Sequence, residues 1–168
     1  MDLPLKLVNE KDPILKQLCP LFDFSSDIDL DKLFYDMKIV LQHYGGIGLA
    51  APQVGLPHRI FIFGDPIQLA INPEVVTEHG EVSSFREGCL SFPHLILNIK
   101  RYTTLGVRYQ NIKGNLIEDR LDGLTGRCFN HEVDHVNGIL FTDRAAKLSL
   151  KLALEKRTKL LKKGERNV

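Results

Sequence analysis

The sequence has few cysteines, no long hydrophobic run and no large excess of charge of either sign. Its 168 residues include three cysteines, too few and odd in number for a disulfide framework, so we expect a reducing compartment such as the cytoplasm. No apolar run approaches the roughly 20 residues that cross a bilayer. The first residues also lack the basic and apolar segments of a signal peptide. We therefore expect no membrane partner.

The overall composition is that of a globular protein with a basic end. Hydrophobic residues make up 43% and charged residues 26% of the chain, which excludes a mostly disordered or collagen-like protein. The formal net charge of +1 does not favour a general nucleic-acid binder. The charge is uneven, because residues 145–168 hold eight Lys or Arg and two Glu, a net +6, and leave −5 for the other 144 residues. This basic tail is expected either to bind an acidic surface or to remain solvated.

The predicted elements are one helix, then a block of strands, then two more helices. Apolar residues recur at three- and four-residue intervals from Leu30 to Tyr44, with Asp29 or Asp31 as the capping candidate and Gly45-Gly46 as the end of the pattern. Helices are predicted over about 29–44, 123–136 and 145–163. Strands are predicted over 59–63, 70–72, 75–79, 95–100, 103–110 and 116–121, with residues 1–24 extended or irregular. This order favours an α+β fold, and without a linker we expect one domain over 1–168.

The strongest chemical signal is the segment His131-Glu132-Val133-Asp134-His135. On a helix, two histidines four residues apart lie on one face, where both imidazoles can bind one metal ion. Glu132 is then placed to take a proton from a metal-bound water. The alternative is a solvated polar turn that matches by chance. The motif alone would suggest a zinc protease, so the third ligand matters.

The segment Glu87-Gly88-Cys89-Leu90-Ser91 supplies a candidate third ligand. A cysteine with two histidines leaves a fourth position open, which is typical of catalytic rather than structural metal sites. The alternative is that Cys89 is a small buried apolar residue, and spacing does not decide, since it lies 42 residues before His131. Cys128, three residues before His131, competes for this role, although a core or pocket-wall position is the better interpretation.

Three glycines within four residues open the segment GGIGLAAPQ at 45–53. They allow a ligand to approach the backbone closely. No Gly-Lys-Ser/Thr follows, so the segment is not a phosphate-binding loop. Gln53 is a candidate hydrogen-bond donor to a developing oxyanion. The alternative, a helix end followed by a turn into a strand, is narrowly favoured by the residues alone.

Together, the three segments resemble the signature motifs of peptide deformylases. They are GIGLAAPQ at 46–53, EGCLS at 87–91 and HEVDH at 131–135. Their order and separations are also similar to those of the family, and the resemblance covers about residues 3–144. Three motifs in the right order are far more specific than any one of them.

The resemblance implies a fold and a reaction. The fold is a compact α+β protein in which a central metal-bearing helix is flanked by antiparallel sheets. The reaction is removal of the N-formyl group from the formyl-methionine of nascent polypeptides, with release of formate. By position, the metal ligands are Cys89, His131 and His135, and Glu132 is the general base.

The resemblance also assigns residues around the substrate. The Leu90 backbone N–H and the Gln53 side-chain amide would stabilise the oxyanion. Gly48 would lie along the substrate backbone. The methionine pocket is expected to be lined by Ile47, Leu124 and Cys128.

One divalent ion is implied, Fe²⁺ in many members, with Zn²⁺, Ni²⁺ or Co²⁺ as substitutes. A thiolate beside two imidazoles suits Fe²⁺ or Zn²⁺ rather than Mg²⁺ or Ca²⁺. The basic tail, 145–168, is a candidate for binding the ribosome. Two other functions stay open, another HExxH metal-dependent peptidase or amidohydrolase, and a non-catalytic metal-binding homologue. Cys89 argues against the first and Glu132 against the second.

Overall fold

The computed structural model describes residues 2–164, and it confirms the α+β architecture. The helices are α1 (Leu30–Tyr44), α2 (Gly123–Val136), α3 (Phe141–Arg144) and α4 (Lys147–Gly164). The strands are β1 (Gly48–Ala50), β2 (Ile60–Phe63), β3 (Gln68–Cys89), β4 (Phe92–Gln110) and β5 (Leu116–Asp122). Short 3₁₀ helices are formed by Pro13–Lys16 and Ala51–Val54.

The strands form an antiparallel sheet in the order β1-β2-β3-β4-β5. The family resemblance implied separate antiparallel sheets on the two sides of the metal-bearing helix. Within the described residues, the strands instead form one continuous five-stranded sheet. β3 and β4 form a long hairpin in which Cys89 pairs with Phe92, where the sequence predicted four separate strands. The ladder shifts register at several points, such as between His79 and Val82 around Gly80. Such bulges interrupt the apolar alternation without ending a strand.

The first helix, α1, has the ends that its sequence predicts. Asp29 accepts a hydrogen bond from the N–H of Lys32 at 2.9 Å, which satisfies one of the unpaired donors of the first turn. Gly45 follows the last turn in the left-handed conformation, with φ 68°, as is common at helix ends. Met37 and Val40 are fully buried in the core that α1 shares with β2.

Several short elements were not predicted from the sequence. Pro13–Lys16 is helical in a region expected to be irregular, Phe141–Arg144 forms a helical turn, and β1 pairs with β2. Each is too short for a periodic pattern to be recognised. The last helix also begins later than predicted, at Lys147, because Ala145 is extended, with φ −79° and ψ 147°.

The second helix, α2, is packed in the middle of the molecule. Its residues from Gly126 to Val136 are all buried, and it contacts every strand of the sheet. Phe129 packs against Phe61 and Phe63 of β2, with ring centroids 5.0 Å away in both cases, so apolar burial anchors the helix. The polar residues of α2 must therefore find partners inside the protein or in a ligand.

The C-terminal helix, α4, packs on β4 by one side. Leu150 and Ala153 join the apolar cluster of Phe92 and Phe141, while the lysines of α4 from 147 to 162 are exposed. Residues 165–168 of the predicted basic tail lie outside the described residues, and the expectation of one domain over 1–168 stays a prediction. Within residues 2–164, no helix combines the length and the apolar composition that a membrane crossing requires.

Candidate active site

Three candidate ligand residues meet at the tip of the β3–β4 hairpin. Cys89 is the last residue of β3, and His131 and His135 lie one turn apart on α2. The distance from Cys89 Sγ to His135 Nε2 is 3.2 Å. The sulfur and one nitrogen from each ring all lie within 4.8 Å of one another. Residues from two distant sequence motifs are thus brought together.

The chemistry of these three side chains fits a transition-metal ion. A thiolate with two imidazoles is a donor set for Zn²⁺ or Fe²⁺, and three protein ligands leave one position open. His131 Nδ1 lies 3.1 Å from Glu87 Oε2, a carboxylate–histidine arrangement that is common for metal ligands and leaves Nε2 to face the cluster. Nδ1 of His135 is buried and has no hydrogen-bond partner in the part of the chain that is described.

A buried ionic network holds Glu87 behind His131. Arg101 donates to both carboxylate oxygens of Glu87, at 2.8 and 3.0 Å, and Arg127 donates to Oε1 at 2.8 Å. Burial alone raises the pKa of Glu87, but hydrogen bonds from His131, Arg101 and Arg127 outweigh it and lower the pKa to about 2. Glu87 is therefore an anion that keeps the imidazole of His131 oriented.

Glu132 is buried beside the same cluster, with 3% of its surface exposed. Its Oε2 has no hydrogen-bond partner among residues 2–164. Burial raises the pKa of Glu132 to about 7, against the opposing positive charges of His131 and Arg101. A carboxyl group with a pKa near neutrality and an unpaired oxygen is suited to accept a proton and return it.

Gln53 is held by hydrogen bonds at both ends of its side-chain amide. Oε1 accepts from the N–H of Ala50 at 2.8 Å. This contact turns Nε2 towards Ser91 Oγ at 3.1 Å and Cys89 Sγ at 3.5 Å. Leu90 lies between these two residues, in the turn of the hairpin. The two predicted oxyanion donors, the Gln53 side chain and the Leu90 backbone, are therefore neighbours of Cys89.

Gly48 packs directly against Glu132 and Cys128. A Cβ atom at this position would collide with the Glu132 carboxylate and would lie 2.6 Å from Cys128 Sγ. Cys128 is buried, its thiol donates to the Ile47 carbonyl at 3.3 Å, and burial raises the pKa of that thiol. The ligand cluster found among the described residues contains Cys89 and not Cys128. Cys128 therefore occupies the wall position that its sequence context favoured.

A cavity of about 1040 Å³ opens in front of the cluster. The predicted site residues that border it are Ile47, Gly48, Gln53, Cys89, Leu90, Leu124, Cys128, His131 and Glu132. His135 is almost fully buried, 1% exposed, behind them. Ile47 and Leu124 are 47% and 56% exposed, so both offer apolar surface to a ligand in this cavity.

The family model for polypeptide deformylase matches residues 4–151. The chain belongs to the peptide deformylase family. A peptide deformylase of Thermotoga neapolitana is 40% identical over 158 residues, covering 92% of this chain and 94% of the relative. That of Thermotoga petrophila is 43% identical over 136 residues, covering 79% and 82%. The crystal structure of a peptide deformylase from Synechococcus elongatus in complex with actinonin has a TM-score of 0.87 and 34% identity, covering 94% of this chain and 87% of that one.

Membership in the peptide deformylase family gives the activity. The chain is an enzyme, a hydrolase that removes the N-formyl group from nascent polypeptides. The family and the cluster of Cys89, His131 and His135 together indicate a single metal ion. The two alternatives, a different HExxH hydrolase and a non-catalytic homologue, are thereby set aside.

Several residues around this deformylase site were not predicted from the sequence. Arg101 and Arg127 hold Glu87. They were not predicted because most arginines are exposed, and nothing in the sequence marks these two as buried. Phe85 and Ile96 border the cavity with exposed apolar side chains, which only the structure reveals. A signal was available for Glu87, because it is the first residue of the EGCLS motif.

Proposed function

We propose that Cys89, His131 and His135 hold the metal ion of this deformylase and that Glu132 transfers the proton. The observation that carries the proposal is the convergence of one sulfur and two ring nitrogens within 4.8 Å beside a large cavity. A bound divalent ion would supply Lewis acidity, which lowers the pKa of the attacking water towards neutrality. Proton transfer, charge stabilisation and substrate binding come from the protein's own groups.

Glu132 acts first as a base and then as an acid. Its carboxylate accepts a proton from the water that attacks the formyl carbon, and it later gives that proton to the leaving amine. Support comes from the unpaired Oε2 atom and from burial, which raises the pKa of Glu132 and so favours proton uptake by this carboxylate.

The Gln53 side-chain amide and the Leu90 backbone N–H stabilise the negative charge that develops on the formyl oxygen. Donors that are already oriented cost no reorganisation when the charge appears. Gln53 has two N–H bonds on Nε2, so one can remain on Ser91 Oγ while the other, now directed at Cys89 Sγ at 3.5 Å, turns to the substrate oxygen beside it. Support comes from the hydrogen bond of Oε1 with Ala50, which fixes the direction of the amide.

The substrate lies along Gly48, with its methionine side chain between Ile47, Leu124 and Cys128. The missing side chain of Gly48 lets the Glu132 carboxylate lie directly against the backbone, so a peptide that runs along Gly48 would lie next to Glu132. The exposed apolar surfaces of Ile47 and Leu124 suit a flexible thioether. All four residues border the same cavity.

The role of Glu132 is tested with Glu132→Gln, which keeps the shape of the side chain and removes the base. Formate release from formyl-Met-Ala-Ser, after anaerobic iron loading, is expected to fall at least about 100-fold in kcat, while the metal content stays at one ion per chain. Glu118→Gln, at an exposed position of β5, is the matched control. Unchanged kcat in Glu132→Gln would reject the proposal.

We propose Fe²⁺ as the ion in the cell, with Zn²⁺, Ni²⁺ or Co²⁺ as substitutes. The donor set of one thiolate and two imidazoles suits all of them. Cys89 is partly exposed, and an iron site with an accessible thiolate is open to oxidation. Apoprotein reconstituted without oxygen, one metal at a time, is expected to be most active with iron and to lose that activity in air. An inactive iron form would reject the assignment.

We propose that the protein acts in the cytoplasm and meets nascent chains at the ribosome through α4. Exposed lysines on this helix are suited to bind phosphates of ribosomal RNA with release of counterions. The test variant replaces four exposed lysines of α4 with Glu: Lys151, Lys156, Lys159 and Lys162. The control reverses four exposed lysines elsewhere, Lys6, Lys16, Lys100 and Lys113.

Co-sedimentation with ribosomes at low salt separates the two sets of variants. Both sets change the net charge equally, so a specific role of α4 predicts loss of sedimentation only in the α4 set. Equal sedimentation of both sets would reject this partner.

A further inference from the structure

The buried ionic network continues past Glu87 to the protein surface. Asp134, 2% exposed, accepts from Arg101 Nη1 at 2.9 Å and from Arg144 Nε at 3.0 Å, and Arg144 Nη2 donates to its other oxygen. The Arg144 side chain is 42% exposed and borders a second cleft of about 550 Å³. An unbroken series of ion pairs and hydrogen bonds therefore runs from solvent to His131.

We propose that Arg144 is a positioning residue, which holds His131 in the orientation that metal binding requires. It acts through the series of ion pairs just described and touches neither metal nor substrate. The inference rests on the proposed function, since it takes His131 as a metal ligand.

Arg101 is the rigid link of this series. Its planar guanidinium donates to Glu87 through Nε and Nη2 and to Asp134 through Nη1, which also donates to Asn130 Oδ1 at 3.0 Å, so Asp134 is its only charged partner on that side. Arg101 is only 4% exposed, so water has little access to replace a lost carboxylate partner. A shift of Asp134 therefore moves Arg101, and with it the carboxylate that orients His131.

Asp134 in turn depends on Arg144. Arg144 donates to both oxygens of Asp134, whereas Arg101 donates to one. Without Arg144, the carboxylate would be buried with a single arginine partner and would border a cleft filled with solvent. A buried charge in that position gains by rotating towards water.

The short helix α3 places Arg144 and also contacts His131 itself. Phe141, the first residue of α3, packs on the His131 ring with centroids 5.8 Å apart and on Phe92 at 5.6 Å. One helical turn therefore supports the histidine directly through an aromatic contact and indirectly through Arg144.

Arg144→Ala and Arg144→Lys test the proposal, with Arg108→Ala as the matched control. Arg108 is 40% exposed and forms an ion pair with Glu74 on the surface, so its loss removes the same charge away from the network. Co²⁺ serves as the probe metal. The measurements are Co²⁺ affinity by competition with a chelator, the Co²⁺ absorption spectrum, and kcat and KM at saturating Co²⁺.

We expect Arg144→Ala to bind Co²⁺ about tenfold more weakly, the lower end of the range for residues behind a metal ligand. The Co²⁺ absorption bands should shift, and kcat should fall with little change in KM. Arg144→Lys should restore part of the affinity, because it keeps the charge without the two-pronged contact. Arg108→Ala should match the wild type in all three measurements.

Wild-type Co²⁺ affinity and spectrum in Arg144→Ala would overturn the inference, as would an equal loss of affinity in Arg108→Ala. Co²⁺ affinity and the Co²⁺ spectrum do not depend on formate release. A failure of the Arg144 inference can therefore be distinguished from a failure of the proposed function. Unchanged kcat in Glu132→Gln would reject the role of that carboxylate and leave the metal-binding comparison valid.

Discussion

Replacing Gly48 with alanine tests how closely the backbone must approach the catalytic carboxylate. The added methyl group would lie 2.6 Å from Cys128 Sγ, where ordinary contacts begin at 3.4 Å, a shortfall of about 0.8 Å, and it would also overlap Glu132. The Cys128 thiol is held by its hydrogen bond to the Ile47 carbonyl. Both side chains must therefore move, and the displacement of Glu132, which has one unpaired oxygen, is the one that affects the reaction.

A displacement of about 1 Å at a reacting group costs on the order of 100-fold in rate. That factor corresponds to about 2.7 kcal/mol of activation free energy, so we expect kcat of Gly48→Ala to fall about 100-fold. Crowding in a packed interior also lowers the free energy of unfolding by about 1–3 kcal/mol. The thermal midpoint should therefore fall as well, and kcat is compared at a temperature below the midpoint of the variant.

Formate release from formyl-Met-Ala-Ser measures kcat and KM, and circular dichroism measures the thermal midpoint. Gly106→Ala is the matched control, because a methyl group there would collide with the Thr77 hydroxyl, in the β3–β4 ladder and outside the residues that border the cavity. This control should lose stability and keep its kcat. Wild-type kcat in Gly48→Ala, at equal metal content, would refute the reasoning.

Three further predictions concern the oxyanion, the methionine pocket and the metal. Gln53→Ala removes one donor and should lower kcat by about 10²–10³-fold with little change in KM. Steady-state kinetics measures this, with Ser91→Ala for comparison because Ser91 Oγ accepts a hydrogen bond from Gln53. An effect on KM alone would contradict the prediction. Leu124→Ala should reduce kcat/KM for formyl-Met peptides about tenfold relative to formyl-Ala peptides, since lost apolar contact weakens discrimination; an equal change for both would contradict the pocket assignment. A chelator should abolish formate release, and one equivalent of Fe²⁺ without oxygen should restore it. Activity after complete metal removal would contradict the metal requirement.

The local part of the fold and site was predictable from the sequence. The ends of α1 follow from a side chain and a glycine within a few residues of the helix, Asp29 and Gly45. The shared face of His131 and His135 follows from the helical repeat alone. Such features depend only on residues that lie within a few positions of one another, so they can be predicted from the sequence.

The meeting of the three motifs was decided by the tertiary structure. Cys89 reaches His131 and His135, 42 and 46 residues later, because the tip of the β3–β4 hairpin packs beside α2. The register of the same hairpin pairs Arg101 with Ser83 and Leu97 with Glu87, which puts the side chains of Arg101 and Glu87 on one face of the sheet. A shift by one residue would turn the Arg101 side chain to the other face. The chemical groups of the active site could thus be identified from the sequence. Their orientation, their pKa values and the cavity before them come from contacts between distant segments, which strand register and helix packing set.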